Sequence, residues 1–268
     1  MGPGKMKIWT GFLINLQFFT ILPVKRQLPM DKEYINKTFH TFPLLGLLQG
    51  MVYAVLLFVL LEWTPLSPLA AAFFLWLLTI IITGGLHLDG WIDASDAYFS
   101  YRDIPKRLEI MSDPRTGAFG VISVIVLLGS RMLFLYEIIQ NIKPWSYSLI
   151  IMVPFLGRTA MGLILAKMPL AKTDGLAAFF QAAAGKNSTA VYPVYLALAG
   201  LALLSTNVTS FYSFIVLIIV LIFSMLFLKR KIIKWFGGIT GDVNGASVEG
   251  VELILWMTIW LLHYFVTD

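Results

Sequence analysis

Residues 43–63 read Pro43-Leu44-Leu45-Gly46-Leu47-Leu48-Gln49-Gly50-Met51-Val52-Tyr53-Ala54-Val55-Leu56-Leu57-Phe58-Val59-Leu60-Leu61-Glu62-Trp63. No side chain between Gln49 and Glu62 is charged. A helix that covers a soluble core keeps one polar face; this run has none, and roughly 20 such residues suffice to cross a bilayer. Working outward, the same pattern recurs at Pro68–Leu86, Ala118–Gln140, Trp145–Ala166, Ala190–Thr206, Phe211–Leu228 and Val251–Val266. The composition agrees: 58% of residues are hydrophobic and 13% charged, against roughly 25% charged in a soluble domain. Soluble globular, disordered and fibrous chains are excluded, because one core could not hide this much apolar surface. The reading is an all-α polytopic membrane bundle of about seven transmembrane helices, a single integral membrane domain over residues 1–268. A further stretch, Ile8–Leu22, is interrupted by Thr10, Gly11, Asn15 and Gln17. That suits an in-plane or re-entrant helix. It lacks a small-residue cleavage site, so it is expected to stay in the mature protein.

Charge sets the expected orientation. All basic residues except Lys143, Arg131 and Arg158 fall on four alternate segments: the N-terminus through Thr41, residues 87–117, residues 167–189 and residues 229–250. Excess Lys and Arg mark the cytoplasmic side. The N-terminus and these loops are therefore expected in the cytoplasm, with the chain in the cell inner (plasma) membrane and its C-terminus outside. The net charge of +5 needs no nucleic acid, since no basic arm or aromatic-basic module accompanies it. Cysteine is absent, which removes disulfides, thiolate zinc and iron–sulfur sites.

The chemistry gathers in two of these loops. The first, 87–117, follows Thr83-Gly84-Gly85-Leu86-His87-Leu88-Asp89-Gly90-Trp91-Ile92-Asp93-Ala94-Ser95-Asp96-Ala97. Asp89, Asp93 and Asp96 stand at i, i+4 and i+7, which stacks three carboxylates on one helical face. Such a stack repels itself by a few tenths of a kcal/mol per pair. A hard divalent cation, Mg²⁺ or Ca²⁺, relieves it with the oxygen ligands it prefers; the bland reading is a solvated acidic helix end. The second, 229–250, holds Gly237-Gly238-Ile239-Thr240-Gly241-Asp242-Val243-Asn244-Gly245-Ala246-Ser247-Val248-Glu249. Each cluster has Gly-Gly, then three residues, then Asp, then an acid seven positions on: Asp89 and Asp96, Asp242 and Glu249. A glycine-rich turn can aim backbone N–H groups at phosphate; the alternative is an interhelical turn whose acids cap the last helix.

Elsewhere, Arg115 beside Asp113 offers a fork for an anionic substrate. Arg158, about two turns inside the fourth span, is expected to snorkel toward the acids, and Glu137 is a candidate partner for Arg131. His87 adjoins the triplet, as a substrate contact or proton-transfer group, or simply as an interface histidine.

These stretches resemble a known family. Gly84-Gly85-Leu86-His87-Leu88-Asp89-Gly90 with Asp93 and Asp96 is similar to the signature of the cobalamin synthases, the adenosylcobinamide-GDP ribazoletransferase family. So are Arg107-Leu108-Glu109-Ile110-Met111, Gly117-Ala118-Phe119-Gly120, Gly238-Ile239-Thr240-Gly241-Asp242 with Gly245-Ala246 and Glu249, and the N-terminal Leu16–Pro23 and Phe42–Gly46 stretches. Asp96-Ala97, where the family often has Asp-Gly, and Trp91, among its simple aliphatics, depart from the pattern.

The resemblance implies a reaction. The alcohol of α-ribazole, or of its 5′-phosphate, attacks the phosphate attached to the cobinamide side chain; GMP leaves and adenosylcobalamin, or its 5′-phosphate, forms. Mg²⁺ is the implied cofactor. The implied metal ligands are Asp89, Asp93, Asp96, Asp242 and Glu249. Catalytic candidates are His87, Asp96 and Asp113; Arg115, Arg158, Gly241 and Gly245 are candidates for holding the phosphorylated substrate. Adenosylcobinamide-GDP, α-ribazole and the lipid bilayer are the expected partners, and a homo-oligomer is left open. Two alternatives share parts of the pattern: a secondary transporter using Arg131, Arg158 and Glu137, and a lipid-headgroup phosphotransferase of the CDP-alcohol type.

Overall fold

The computed structural model describes residues 3–265, and side chains from residue 6. Every regular element there is a helix: α1 Pro3–Phe19, α2 Lys32–Glu62, α3 Pro68–Ile81, α4 Leu86–Phe99, α5 Ile104–Ile110, α6 Ala118–Gln140, α7 Pro144–Lys167, α8 Gly175–Gln181, α9 Tyr192–Thr206, α10 Val208–Phe236 and α11 Gly241–Phe265. The chain is thus an all-α, polytopic membrane-spanning bundle. Five helices, α2, α6, α7, α10 and α11, are long and apolar enough to cross a membrane alone.

Two of the expected spans depart from that description. The stretch 68–86 divides: α3 stops at Ile81, and α4 leaves its line by 80°. Gly84 and Gly85 make the corner, at φ 63° and 77°, a region other residues seldom enter. With three carboxylates in its fourteen residues, α4 is not itself a membrane-crossing segment. The stretch 190–206 is the 15-residue α9, short of the roughly 20 residues a span needs. Length alone therefore supports five crossings, or six with the bent pair as one. The last expected span ends at Val266, outside the described residues.

Helix starts also moved. α2 runs from Lys32 through Pro43, because Ile35, Phe39 and Phe42 are buried and extend the packed face below the apolar run. α1 packs on that extension. Its Asn15 is fully buried and donates to Thr38 O at 2.8 Å and Thr41 Oγ1 at 3.0 Å. The polar interruptions of 8–22 thus include an internal tether.

α7 is the central post. Leu149, Val153, Leu156, Ala160 and Ile164 along it are fully buried. α2 approaches it so closely that a Cβ at Gly46 or Gly50 would overlap the backbone of Pro154 or Ile151, the small-residue packing typical of membrane helices. α11 lies against α7, α6 and α4. It starts where Gly237, at φ 74°, ends α10 and Thr240 Oγ1 accepts from Val243 N at 3.1 Å.

Candidate active site

The site is built where α4 meets the first turn of α11. A Cβ on Gly90 would lie 2.7 Å from Asp242 O and 2.8 Å from Asp242 Cα, so only glycine lets the two backbones touch. Glycine in the Asp89-Gly90 step therefore has a packing reason, and it brings the two Gly-Gly turns together. Asp89 and Asp242 line one cavity of about 440 Å³ with His87, Thr240, Gly241, Asn244 and Gly245.

Asp93, one turn further along α4, is half-buried. Burial, then Asp89, Asp242 and Asp96 in turn, push its carboxyl up to about 6. Four acids from two sequence clusters therefore feel one another. Asp89, Asp93 and Asp242 have no ion-pair partner among the described residues. Nor, among the described residues, do three His, Cys, Asp or Glu side chains converge as a ready-made metal cage. The donor set itself, carboxylate oxygens outside any ion pair among the described residues, has the chemistry that a hard divalent cation requires.

Asp96 is differently engaged. Its Oδ2 accepts from Gly117 N at 2.7 Å and its Oδ1 from Gly120 N at 2.8 Å, at the N-terminus of α6, where amides lack helical partners and the dipole favours an anion. A Cβ at either glycine would overlap the carboxylate. That explains both glycines of Gly117-Ala118-Phe119-Gly120: they admit the side chain that ties α4 to α6.

The structure relocates several sequence candidates. Glu249 pairs with Arg131, both buried, rather than facing the Asp cluster. Glu249 lies about two turns beyond Asp242 on α11, and at that position the helix has entered the packed interior, where Arg131 needs a counter-charge. Arg158 likewise does not reach the cavity; it is 1% exposed and donates to Glu252 Oε1 at 3.1 Å. Glu137, expected near Arg131, accepts instead from Tyr264 Oη at 2.7 Å.

Arg115 and Asp113 hold each other in an exposed turn, Nε to Oδ1 at 2.9 Å and Nη2 to Oδ2 at 2.6 Å. The pairing holds the Asp113 carboxyl down at about 2. His87 is buried, with neither ring nitrogen hydrogen-bonded. Gly241 and Gly245 both line the cavity.

Sequence reasoning missed three contributors. Lys172, counted only as loop charge, lines the cavity and donates to Leu108 O at 3.1 Å and to Ser112 Oγ. It is placed there by backbone pairing of its loop with the second glycine turn, Ala171 N to Ile239 O at 2.9 Å and Ile239 N to Pro169 O at 2.8 Å. Phe19, at the end of α1, stacks on His87 with centroids 6.4 Å apart. Asn244 is buried with its Oδ1 unpartnered. Its place inside the glycine cluster was a local signal, and Phe19 stood within the family-like Leu16–Pro23 stretch with no role given; nothing local marked Lys172.

A family model described as Cobalamin-5-phosphate synthase matches residues 11–260. An adenosylcobinamide-GDP ribazoletransferase of Geobacillus sp. (strain WCH70) is 42% identical over 258 residues, 96% of this chain and 98% of the relative. That of Geobacillus thermodenitrificans (strain NG80-2) is 38% identical over 259 residues, 96% and 97% of the two chains. That of Clostridioides difficile (strain 630) is 32% identical over 264 residues, 94% and 98%. No solved structure matches the chain. With a match running through both glycine turns and relatives aligned over nearly their whole length, the chain belongs to the cobalamin-5-phosphate synthase family.

Proposed function

We propose that the protein transfers the adenosylcobinamide phosphate group from adenosylcobinamide-GDP to α-ribazole or its 5′-phosphate. The acceptor hydroxyl oxygen bonds to the phosphorus carried by the cobinamide side chain. The bond from that phosphorus to the bridging oxygen breaks, GMP leaves, and the hydroxyl proton is lost. The observation that carries this reading is the contact of α4 with the first turn of α11, which sets Asp242 among the α4 acids, none of Asp89, Asp93 and Asp242 being ion-paired among the described residues.

Mg²⁺, held by Asp89, Asp93 and Asp242, would neutralise charge on the transferring phosphoryl group. These residues sit on two helices fixed by packing, so the acids are positioned before an ion arrives. Asp96 serves the site by locking α4 to α6 through its two amide bonds. Phosphoryl transfer asks little covalent chemistry of the protein; position and charge dominate. The buried charges Glu249 and Glu252 are left out of the metal set, being paired with arginines.

For the membrane frame, we infer seven crossings. α3 with its glycine corner serves as the second and the short α9 as the fifth, with the N-terminus and the acid cluster on the cytoplasmic side. The alternation of loop charge supports this. The deciding assay incubates purified protein with adenosylcobinamide-GDP, α-ribazole and Mg²⁺ and identifies the products. GMP and adenosylcobalamin in equal amounts are expected; no GMP release that depends on α-ribazole would remove the assignment.

A further inference from the structure

The cavity beside Asp89 and Asp242 has two unequal ends. Lys172 and Asp174 belong to its more exposed side. Its inner side is made by Phe19, Met161, Leu165 and Ala177, all buried. Set into that apolar wall are two polar side chains that satisfy no partner. His87 is 3% exposed with both Nδ1 and Nε2 free of hydrogen bonds, and Asn244 is 5% exposed with Oδ1 free.

Native proteins rarely leave buried polar atoms unpaired, and each such case calls for an explanation. Two of them line one cavity beside Asp89 and Asp242, where a ligand would supply the missing bonds. At about 440 Å³ the space falls in the range of small-molecule sites.

The wall also limits what the ligand is. Of the two aromatic bases in the proposed reaction, guanine presents O6, N7 and an exocyclic amine, besides its ring N–H. It needs a polar partner for each, or desolvation goes uncompensated. A benzimidazole riboside presents one free ring nitrogen and an otherwise apolar ring. The buried apolar side chains with one imidazole and one amide match the second, and the remaining polar lining, Asp89, Lys172, Asp174, Thr240 and Asp242, is left for the ribose and the reacting phosphate. A neutral imidazole offers one donor and one acceptor, and the amide oxygen accepts, which covers one ring nitrogen and one ribose hydroxyl.

We propose that this cavity is the acceptor site, seating the benzimidazole base of α-ribazole against Phe19, Met161 and Leu165, with His87 and Asn244 as its hydrogen-bonding residues. The proposal rests on the ribazole-transfer reading above. It places the acceptor's ribose on the side of Asp89 and Asp242, where the diphosphate of adenosylcobinamide-GDP meets it, and it leaves the corrin and guanine ends of that substrate outside this cavity.

The test is equilibrium binding to the full-length, detergent-solubilised protein, with α-ribazole and adenosylcobinamide-GDP titrated separately. His87→Phe keeps a ring of similar shape and removes the nitrogens. Leu176→Trp adds bulk to a half-buried part of the lining. Each is expected to weaken α-ribazole binding about tenfold or more, the scale of one lost hydrogen bond or a blocked pocket. Binding of adenosylcobinamide-GDP should stay within about twofold. In the wild type, 5,6-dimethylbenzimidazole should displace α-ribazole and GMP should not.

Loss of adenosylcobinamide-GDP or GMP binding with α-ribazole retained would make this the guanine site and overturn the proposal. Unchanged α-ribazole binding in Leu176→Trp would also overturn it, and that variant decides the matter if His87→Phe fails to fold. Failure of the underlying reading shows elsewhere: the wild type would not turn over adenosylcobinamide-GDP with α-ribazole at all.

Discussion

At the residue scale the acids divide by what already holds them. Asp96 is bound by two backbone amides, whereas Asp89, Asp93 and Asp242 stand outside any ion pair among the described residues, Asp242 accepting one long bond from Thr240 Oγ1 at 3.4 Å. Asp89→Asn, Asp93→Asn and Asp242→Asn should therefore each cost at least about a hundredfold in turnover while leaving the folded protein intact. The loss is of charge neutralisation at the phosphoryl group. Near-normal rates at low Mg²⁺ in all of them would refute the assignment.

Gly120→Ala should act differently. It pushes a methyl into the Asp96 carboxylate and the Ile92 side chain, an overpacking cost of about 1–3 kcal/mol, and thermal unfolding should register it even without substrate.

Asp93 adds a pH signature. Its carboxyl titrates near 6 in the fold against about 3.9 unfolded. Between those values folded Asp93 holds more proton than unfolded Asp93, so its own contribution to metal-free stability falls as pH rises from about 4 to 6, while His87, lowered by burial, contributes in the opposite sense. Mg²⁺ reverses the sign of the Asp93 contribution by favouring the ionised form. The difference between wild type and Asp93→Asn isolates it: metal-free melting curves should show the wild type losing stability relative to the variant across this window, and the loss should vanish with metal. A metal-free difference that does not change over this window would refute it.

At the element scale, α11 is the member on which the site depends. Its first turn carries Asp242 and Asn244. About two and three turns beyond Asp242, Glu249 and Glu252 pair with Arg131 of α6 and Arg158 of α7. The two pairs point to different neighbours, so together they set the rotation of α11 about its axis. That rotation sets where Asp242 faces. A Cβ on Gly157 would overlap the Glu252 carboxylate, so α7 is notched to receive it. Removing one partner leaves a buried, uncompensated charge. Glu249→Gln should destabilise the protein by about 3–5 kcal/mol. The double replacement Arg131→Met with Glu249→Leu should recover most of that, since neither charge is then stranded. If the single variant melts like wild type, the pair is not structural.

Legibility also differed among elements. The long apolar helices announced themselves, because an unbroken run of a span's length has few other fates. Helix ends did not. α2 begins at Lys32 and α11 at Gly241, well outside their apolar runs, because tertiary packing rather than hydropathy sustains those extensions. Pro43 looked like a start, yet α2 passes through it in a packed groove against α7.

At the scale of the whole molecule, the inferred frame of seven crossings is open to direct labelling. The chain has no native cysteine, so single-cysteine variants carry one label each. Cysteine at Ser112, Asn187 or Gly237 should react only from the cytoplasmic side, and at Pro65 or Asn207 only from outside. Labelling of Ser112→Cys from outside alone would invert the frame and move the acid cluster with it.

By itself the sequence determined the fold class and family, and it singled out five candidate acids, two of which, Asp96 and Glu249, are engaged elsewhere in the structure. Apolar length, alternating loop charge and ordered motifs are local quantities, and a membrane allows few ways to satisfy them. The face shared by Asp89, Asp93 and Asp96 was equally readable, since helical periodicity dictates it. Which charge met which did not follow from spacing. Asp242 and Glu249 are seven apart on one helix, yet only Asp242 meets the α4 acids, because Glu249 has passed below the surface to Arg131. Arg158 was placed at the cavity on its depth alone, and Glu252 holds it inside. Lys172, Phe19 and the corner at Gly84-Gly85 reach the site through contacts between segments far apart in the chain. Those pairings depend on how helices rotate and approach one another, which is decided by packing and by neutralising buried charge. Only the tertiary structure supplies either.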